Sequence, residues 1–202
     1  MTQRRVAVLL EGASDVAAVH ALLPDSMDGS AVELVDLRGV TNVRRHLDPL
    51  LGAEGVARVL GLCDAGEQEF FVQALVGIGI DVHGGTMSAF GFHVCRLDLE
   101  DELIRALGPD RVLEELSGLG LATRFAQFRQ QPAWRDRPLA DQLRRFVGVA
   151  SGRKALVDGA LAAALRPDQV PPPLAALLAQ VGLALADLNG GPVVRPFPQR
   201  QG

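Results

Sequence analysis

The sequence predicts an α/β fold: a mostly parallel sheet of about four strands flanked by helices, followed by a C-terminal helical appendage. Over the first half of the 202-residue chain, short apolar runs alternate with helical patterns, and such alternation implies right-handed crossovers between parallel strands covered on both faces. Near Pro109 the alternation stops and only helical patterns follow. A hydrophobic share of 48% is enough to build the core of one ordinary domain.

The elements read in order as follows. Residues 6–10 (VAVLL) are a continuous apolar run closed by Glu11-Gly12, and Ser14 precedes a helical pattern in Val16, Val19, Leu22 and Leu23. Residues 31–37 (AVELVDL) make a second strand, Gly39 a turn, and Val43, Leu47 and Leu50 the inner face of a helix from about Asn42 through Leu51. The third strand, 57–63 (ARVLGLC), ends at Asp64, and the helix after Glu67 turns Phe70, Phe71, Ala74 and Leu75 inward. Residues 92–97 (FHVCRL) make a fourth strand and 102–107 its helix. Helices then follow at 111–116, around Phe125 and Phe128, and at 139–149, 154–165 and 174–188, with turn signals at Pro132, Pro138, Gly152 and Pro171 to Pro173 between them. The expected division is an α/β core at 1–108, a helical extension at 109–189 packed on it and carrying Lys154, and an extended or disordered Gly/Pro-rich tail at 190–202.

Composition narrows the function. Aromatic residues make up 4% with no Tyr, which disfavours a single-strand binder built on stacking platforms, and a net charge of −4 disfavours coating DNA by bulk charge. The apolar runs are too short for a signal peptide or a bilayer span, so no membrane partner is expected. Cys63 and Cys95 sit in apolar runs and read as buried small hydrophobes, in keeping with a reducing cytoplasm. His20, His46, His83 and His93 show no spacing tied to a nucleophile and read as surface or capping residues. Residues 11–15 (EGASD) do not supply the glycine pattern of a dinucleotide site. The basic residues are 19 Arg and one Lys, which makes Lys154 conspicuous, because Lys is a compact point charge where Arg is a broad fork.

In open α/β sheets ligands bind beyond the carboxyl ends of the strands. Glu11, Asp64 and the Asp98/Glu100 pair all fall at that edge, and hard carboxylates there suit Mg2+ or Mn2+. Gly12 leaves room for a phosphate to approach. Asp15 stands at a helix start, where the dipole favours an acid in any case. Asp98 and Glu100 alternate with Leu97 and Leu99, so strand periodicity points both carboxylates to one side, whereas Asp101 and Glu102 read as acids opening a helix. Arg44 and Arg45 read as a solvated helix face that also suits phosphate contact. Arg144, Arg145 and Arg153 would add a basic wall beside Lys154.

The run VAVLLEGASDVAAVHALL resembles the first motif of the Toprim domain, the Rossmann-like metal-binding fold shared by bacterial primases, topoisomerases and OLD-family (overcoming lysogenization defect) nucleases. It is most similar to the OLD type, in which the strand-end Glu is followed four residues later by a second acid, as Glu11 is by Asp15. The Asp-x-Asp motif corresponds to Asp64-Ala65-Gly66-Glu67, with Gly66 at the second acidic position and Glu67 one residue late. Asp98-Leu99-Glu100 matches the next segment, and Lys154 stands where the family places a catalytic Lys. The resemblance implies metal-dependent phosphodiester hydrolysis on DNA by an endonuclease or nickase. It makes Glu11 and Lys154 catalytic, assigns two ions to Glu11, Asp15, Asp64, Glu67, Asp98 and Glu100, and leaves DNA contacts to Gly12, Arg44 and Arg153. OLD proteins usually carry an ATPase domain ahead of the Toprim part, and residues 148–154 (GVASGRK) lack the phosphate-loop spacing. A stand-alone nuclease, working with a separate ATPase or with none, is therefore expected. Two alternatives stay open: a degenerate Toprim module that binds DNA or a protein without cutting, and a nucleotidyl transferase.

Overall fold

The computed structural model describes residues 4–24, 31–82, 86–149 and 152–188. The first apolar run becomes β1 (Arg5–Leu10), an inner strand whose residues from Val6 onward are fully buried. It pairs in parallel with β2 (Val32–Asp36) on one side and β3 (Val56–Cys63) on the other, and β3 pairs in parallel with β4 (Phe92–Val94). The strand order β2-β1-β3-β4 brings every carboxyl end to one edge and reverses direction between β1 and β3.

Strand periodicity divides the core into two. Val6, Val8, Leu10, Leu60 and Leu62 face one layer, built from α1 (Ala13–Leu22), α4 (Leu99–Leu107) and all the later helices. These are α5 (Pro109–Gly118), α6 (Ala122–Arg129), α7 (Leu139–Gly148), α8 (Lys154–Ala163) and α9 (Pro172–Leu188). Leu9, Val59 and Cys63 face the other layer, built from α2 (Val43–Gly52) and α3 (Gln68–Gly77). The helices beyond residue 109 therefore share one hydrophobic core with β1 and β3. Both cysteines are buried free thiols, as expected from their apolar runs.

Three expectations need correction. The fourth strand ends at Val94, because the chain turns at residues 96–97 to begin α4 three residues earlier than the apolar pattern implied. Phe70 is 41% exposed and only Phe71, Ala74 and Leu75 of its helix turn inward, because Phe71 alone fills the space under Gly61 and Phe92. His93 is 5% exposed, in the middle of β4 with its Nε2 buried, so it is not a surface residue. Burial holds its imidazole below the ordinary value. His83 and the tail at 190–202 lie outside the described residues. Among the described residues no helix is long and apolar enough to cross a membrane.

Two glycines permit close approaches in the sheet. A Cβ on Gly91 (φ +91°) would lie 2.6 Å from Leu60 Cδ2, and one on Gly61 would lie 2.7 Å from the Phe92 ring. Phe71 and Phe92 pack against each other over Gly61, with centroids 5.9 Å apart. Gly61→Ala is expected to lower stability by about 1–3 kcal/mol through overpacking. Urea denaturation checks this, and an unchanged midpoint would show that the rings move aside at no cost.

Candidate active site

Glu11 follows β1 and Asp64 follows β3, on either side of the point where the strand order reverses. The Asp64 backbone N–H donates to Glu11 Oε1 at 2.9 Å, which ties the two strand ends together. Asp64 Oδ1 in turn accepts the Leu99 N–H at 3.1 Å and fixes the start of α4. Glu67, at the end of a 3-10 turn (Ala65–Glu67), reaches back to share a hydrogen bond with Glu11, and its Oε2 is buried with no hydrogen-bond partner. The acid that lies one residue late in the sequence thus reaches the cluster. A Cβ on Gly66 would meet nothing within 4 Å, so space for the missing carboxylate exists but no residue fills it.

Asp98 and Glu100 are not on a strand. Asp98 caps α4, its Oδ1 accepting the Asp101 N–H at 2.8 Å, and this satisfied donor is what turns the chain into a helix at that point. Glu100 sits in the first helical turn, yet both side chains line the same cleft as Asp64. Glu102 accepts the Arg96 N–H at 2.7 Å and pairs with Arg105, and Asp101 also pairs with Arg105, so these two acids hold the loop and helix as expected of helix-opening residues.

Lys154 is the first residue of α8, directly after the turn at Gly152 (φ +72°) and Arg153. Its Nζ lies 2.6 Å from Glu100 Oε1 and donates to Ser14 Oγ at 3.2 Å, and Ser14 donates to Asp15 Oδ2 at 3.3 Å. This contact spans 140 residues of sequence and depends on α8 packing tightly on α1. Gly159 permits that packing: a Cβ there would lie 3.4 Å from Ala17 Cβ. Asp15 is only 7% exposed, so it is a buried partner of this chain and more than an acid favoured by a helix dipole.

The acids raise one another. Burial, then the hydrogen bond with Glu67, pushes Glu11 up to about 9 against the opposing Asp64 N–H. Burial and the charges of Asp15, Asp98, Glu100 and Glu67 push Asp64 up to about 7. Burial also raises Asp15 and carries Asp158 to about 8, in both cases against the pull of Lys154. Burial alone would lower the Lys154 ammonium, but the hydrogen bond and charge of Glu100, with Asp158 and Asp15 beyond, hold it above the ordinary lysine value.

A raised carboxyl binds more protons in the folded than in the unfolded state, so stability falls as pH rises from the unfolded value towards the folded one. For Glu11 that window runs from about 4.5 to about 9. The cation-free protein is therefore expected to melt at a lower temperature at pH 9 than at pH 6, and Glu11→Gln should recover part of the loss. Melting curves at both pH values check this; an identical pH dependence in wild type and variant would contradict the charge cluster.

Beside the acids lies an open cleft of about 650 Å³, lined by Asp64, Asp98, Glu100 and Lys154 together with Arg137, Asp141, Arg144 and Arg145. Arg144 Nε donates to Asp98 Oδ2 at 2.7 Å and Nη2 reaches the same oxygen, joining α7 to the start of α4. Gly12 caps α1 with extended backbone, and a Cβ there would meet only Asp15 Oδ2 at 3.9 Å, so the approach is open. Arg44 pairs with Asp48 on α2 and lies against Gly77 of α3, while Arg153 lines a separate groove with Phe128 and Phe146.

Four contributors were missed in the sequence. From the sequence Ser14 reads only as a residue before a helix. Asp158 is fully buried with both carboxylate oxygens lacking a hydrogen-bond partner, and its i,i+4 spacing from Lys154 would have placed the two on one helix face. Trp134 and Arg137 sit in a Pro-bounded segment that gave no signal beyond a turn.

The donor chemistry fits a hard divalent cation: oxygen ligands, mutual repulsion and an unpartnered Glu67 oxygen. Among the described residues no three His, Cys, Asp or Glu side chains already converge as a ligand set, so ion binding requires side-chain rearrangement.

No family model matches the chain, and no curated protein does either. Solved structures match over nearly its whole length. The C-terminal region of the Xanthomonas campestris pv. campestris OLD protein superposes with a TM-score of 0.65 at 20% identity, covering 94% of this chain and all (100%) of that one. The C-terminal region of the Burkholderia pseudomallei OLD protein gives a TM-score of 0.62 at 16% identity, covering 90% and 98%. The chain has the fold of the OLD C-terminal region. At these identities the likeness is one of fold, and in this OLD-type fold the strand-end acids and Lys154 come together from segments far apart in sequence.

Proposed function

We propose that this OLD-type domain hydrolyses phosphodiester bonds in DNA with Mg2+ or Mn2+. The observation that carries the reading is the single Lys of the chain, held between Glu100 and Ser14 beside the Glu11–Asp64–Glu67 cluster at the reversal point of the sheet. Glu11, Asp64 and Glu67 would hold the ion, with Asp15 adjoining. When bound, the cation supplies Lewis-acid polarisation of the phosphate and a water of lowered pKa. Asp98 and Glu100 already engage Arg144 and Lys154, so as ligands of a second ion they would have to exchange those partners. Lys154 keeps its proton and presents a fixed positive charge for the phosphoryl oxygens as their charge grows. The arginines that line the cleft draw the DNA backbone in against the acids, which would otherwise repel it.

Gly66 and the two ion pairs favour the second reading, a module that binds DNA without cutting. A labelled oligonucleotide, incubated with nucleoside triphosphates and Mn2+, Mg2+ or EDTA, separates the readings. Hydrolysis shortens the strand in the metal arms only. Extension would mean nucleotidyl transfer, and a gel shift with intact strands would mean a binding module.

A further inference from the structure

The cleft has a second feature that hydrolysis itself does not use. Residues 130–138 (QQPAWRDRP) connect α6 to α7 between two prolines. Gln142, only 2% exposed, is spent on this connection and the end of α6: its Nε2 donates to the carbonyls of Trp134 and Arg137, each at 2.9 Å, and its Oε1 accepts from Arg129 at 2.7 Å. The Trp134 ring lies against Phe128 (centroids 5.4 Å apart, 29° between planes), and Phe128 is backed by Phe146 at 5.6 Å. Trp134 is half-buried and lines the active-site cleft with Arg137 and Arg145. Neither arginine pairs with an acidic side chain among the described residues, whereas Arg144 is committed to Asp98.

A buried amide that fixes two loop carbonyls, an aromatic ring stacked on a neighbouring ring and two uncommitted guanidinium groups make a braced, charged platform that lines the cleft. We infer that Trp134, Arg137 and Arg145 form a subsite for an unpaired nucleotide, the base stacking on Trp134 and its phosphates meeting the arginines. In duplex DNA the base faces are covered by their neighbours, so such a platform selects single-stranded or frayed DNA at the point of cleavage. The subsite rests on the DNA reading of the cleft and names the strand form that the cleft takes.

Trp134 is the only Trp in the chain, so its fluorescence reports on the subsite directly. The full chain is titrated with a short single-stranded oligonucleotide and with the same sequence as a blunt duplex, in Ca2+ to fill oxygen sites. Labelled-DNA anisotropy is measured in parallel for Trp134→Phe and Trp134→Leu. The expected result is quenching by the single strand with affinity about tenfold or more above that of the duplex, retained in the Phe variant and lost in the Leu variant. Equal affinity for both DNA forms, or a Leu variant that binds single strands as well as the Phe variant, overturns the subsite. Metal-dependent cleavage with no such preference leaves the hydrolysis reading standing and removes the subsite alone. A Trp134 response without cleavage keeps the subsite and removes hydrolysis.

Discussion

Lys154→Ala is expected to slow DNA cleavage by about 10²–10³-fold, the usual effect of removing one preorganised group that stabilises transition-state charge. Divalent-cation affinity should change little, because Glu11, Asp64 and Glu67 are held by hydrogen bonds that do not involve Lys154. The variant must be compared at matched folding, since Lys154 opposes the repulsion between Glu100, Asp15 and Asp158, and its loss raises all three burdens at once. Lys154→Arg should also be slow. The ammonium sits 2.6 Å from Glu100 and 3.2 Å from Ser14, contacts made by a compact point donor that a planar fork on a longer side chain does not reproduce. Full activity in the Arg variant would mean that any cation at this position suffices.

The second large effect concerns the cation. A Glu11→Ala, Asp64→Ala double variant should lose about a hundredfold or more in Mg2+ and Mn2+ affinity, since a hard ion with few protein ligands depends on each carboxylate. Wild-type affinity should itself rise with pH. A protonated carboxyl cannot ligate, and Asp64 and Glu11 release their protons at about 7 and about 9. Calorimetric titration at pH 6 and pH 9 measures both, with proton release visible as buffer-dependent heat. Equal affinity in wild type and double variant would remove these residues as ligands.

The two inner strands were legible because β1 and β3 each end in a run of buried apolar residues closed by an acid, and Glu11 and Asp64 stand at the sheet edge for that same reason. The limits of β4 were not legible, because the cue that ends it is a side-chain cap: Asp98 taking the Asp101 N–H. Hydrophobic periodicity does not see such a bond. Glu67 was legible as a late acid, while its return to Glu11 depends on the tight 3-10 turn after Asp64. Lys154 stood out by composition, but Ser14 and Asp15 as its companions needed the packing of α8 on α1 through Gly159. The Trp134 platform was hidden for the opposite reason. A low aromatic content argues against many stacking surfaces and is silent about one.

In the proposed function the strand-end carboxylates equip this fold to cut DNA. The most direct test of that role is a nicking and linearisation assay on supercoiled plasmid in Mn2+, Mg2+ or EDTA, with Glu11→Ala purified identically as the control for contaminating nuclease. With Gly66 leaving one ligand short, nicking is expected to be slow, faster in Mn2+ than in Mg2+, whose octahedral demands are stricter, and absent in EDTA and in Glu11→Ala. Plasmid that stays supercoiled at every protein concentration while the ion is bound, or nicking that persists in Glu11→Ala, would contradict it.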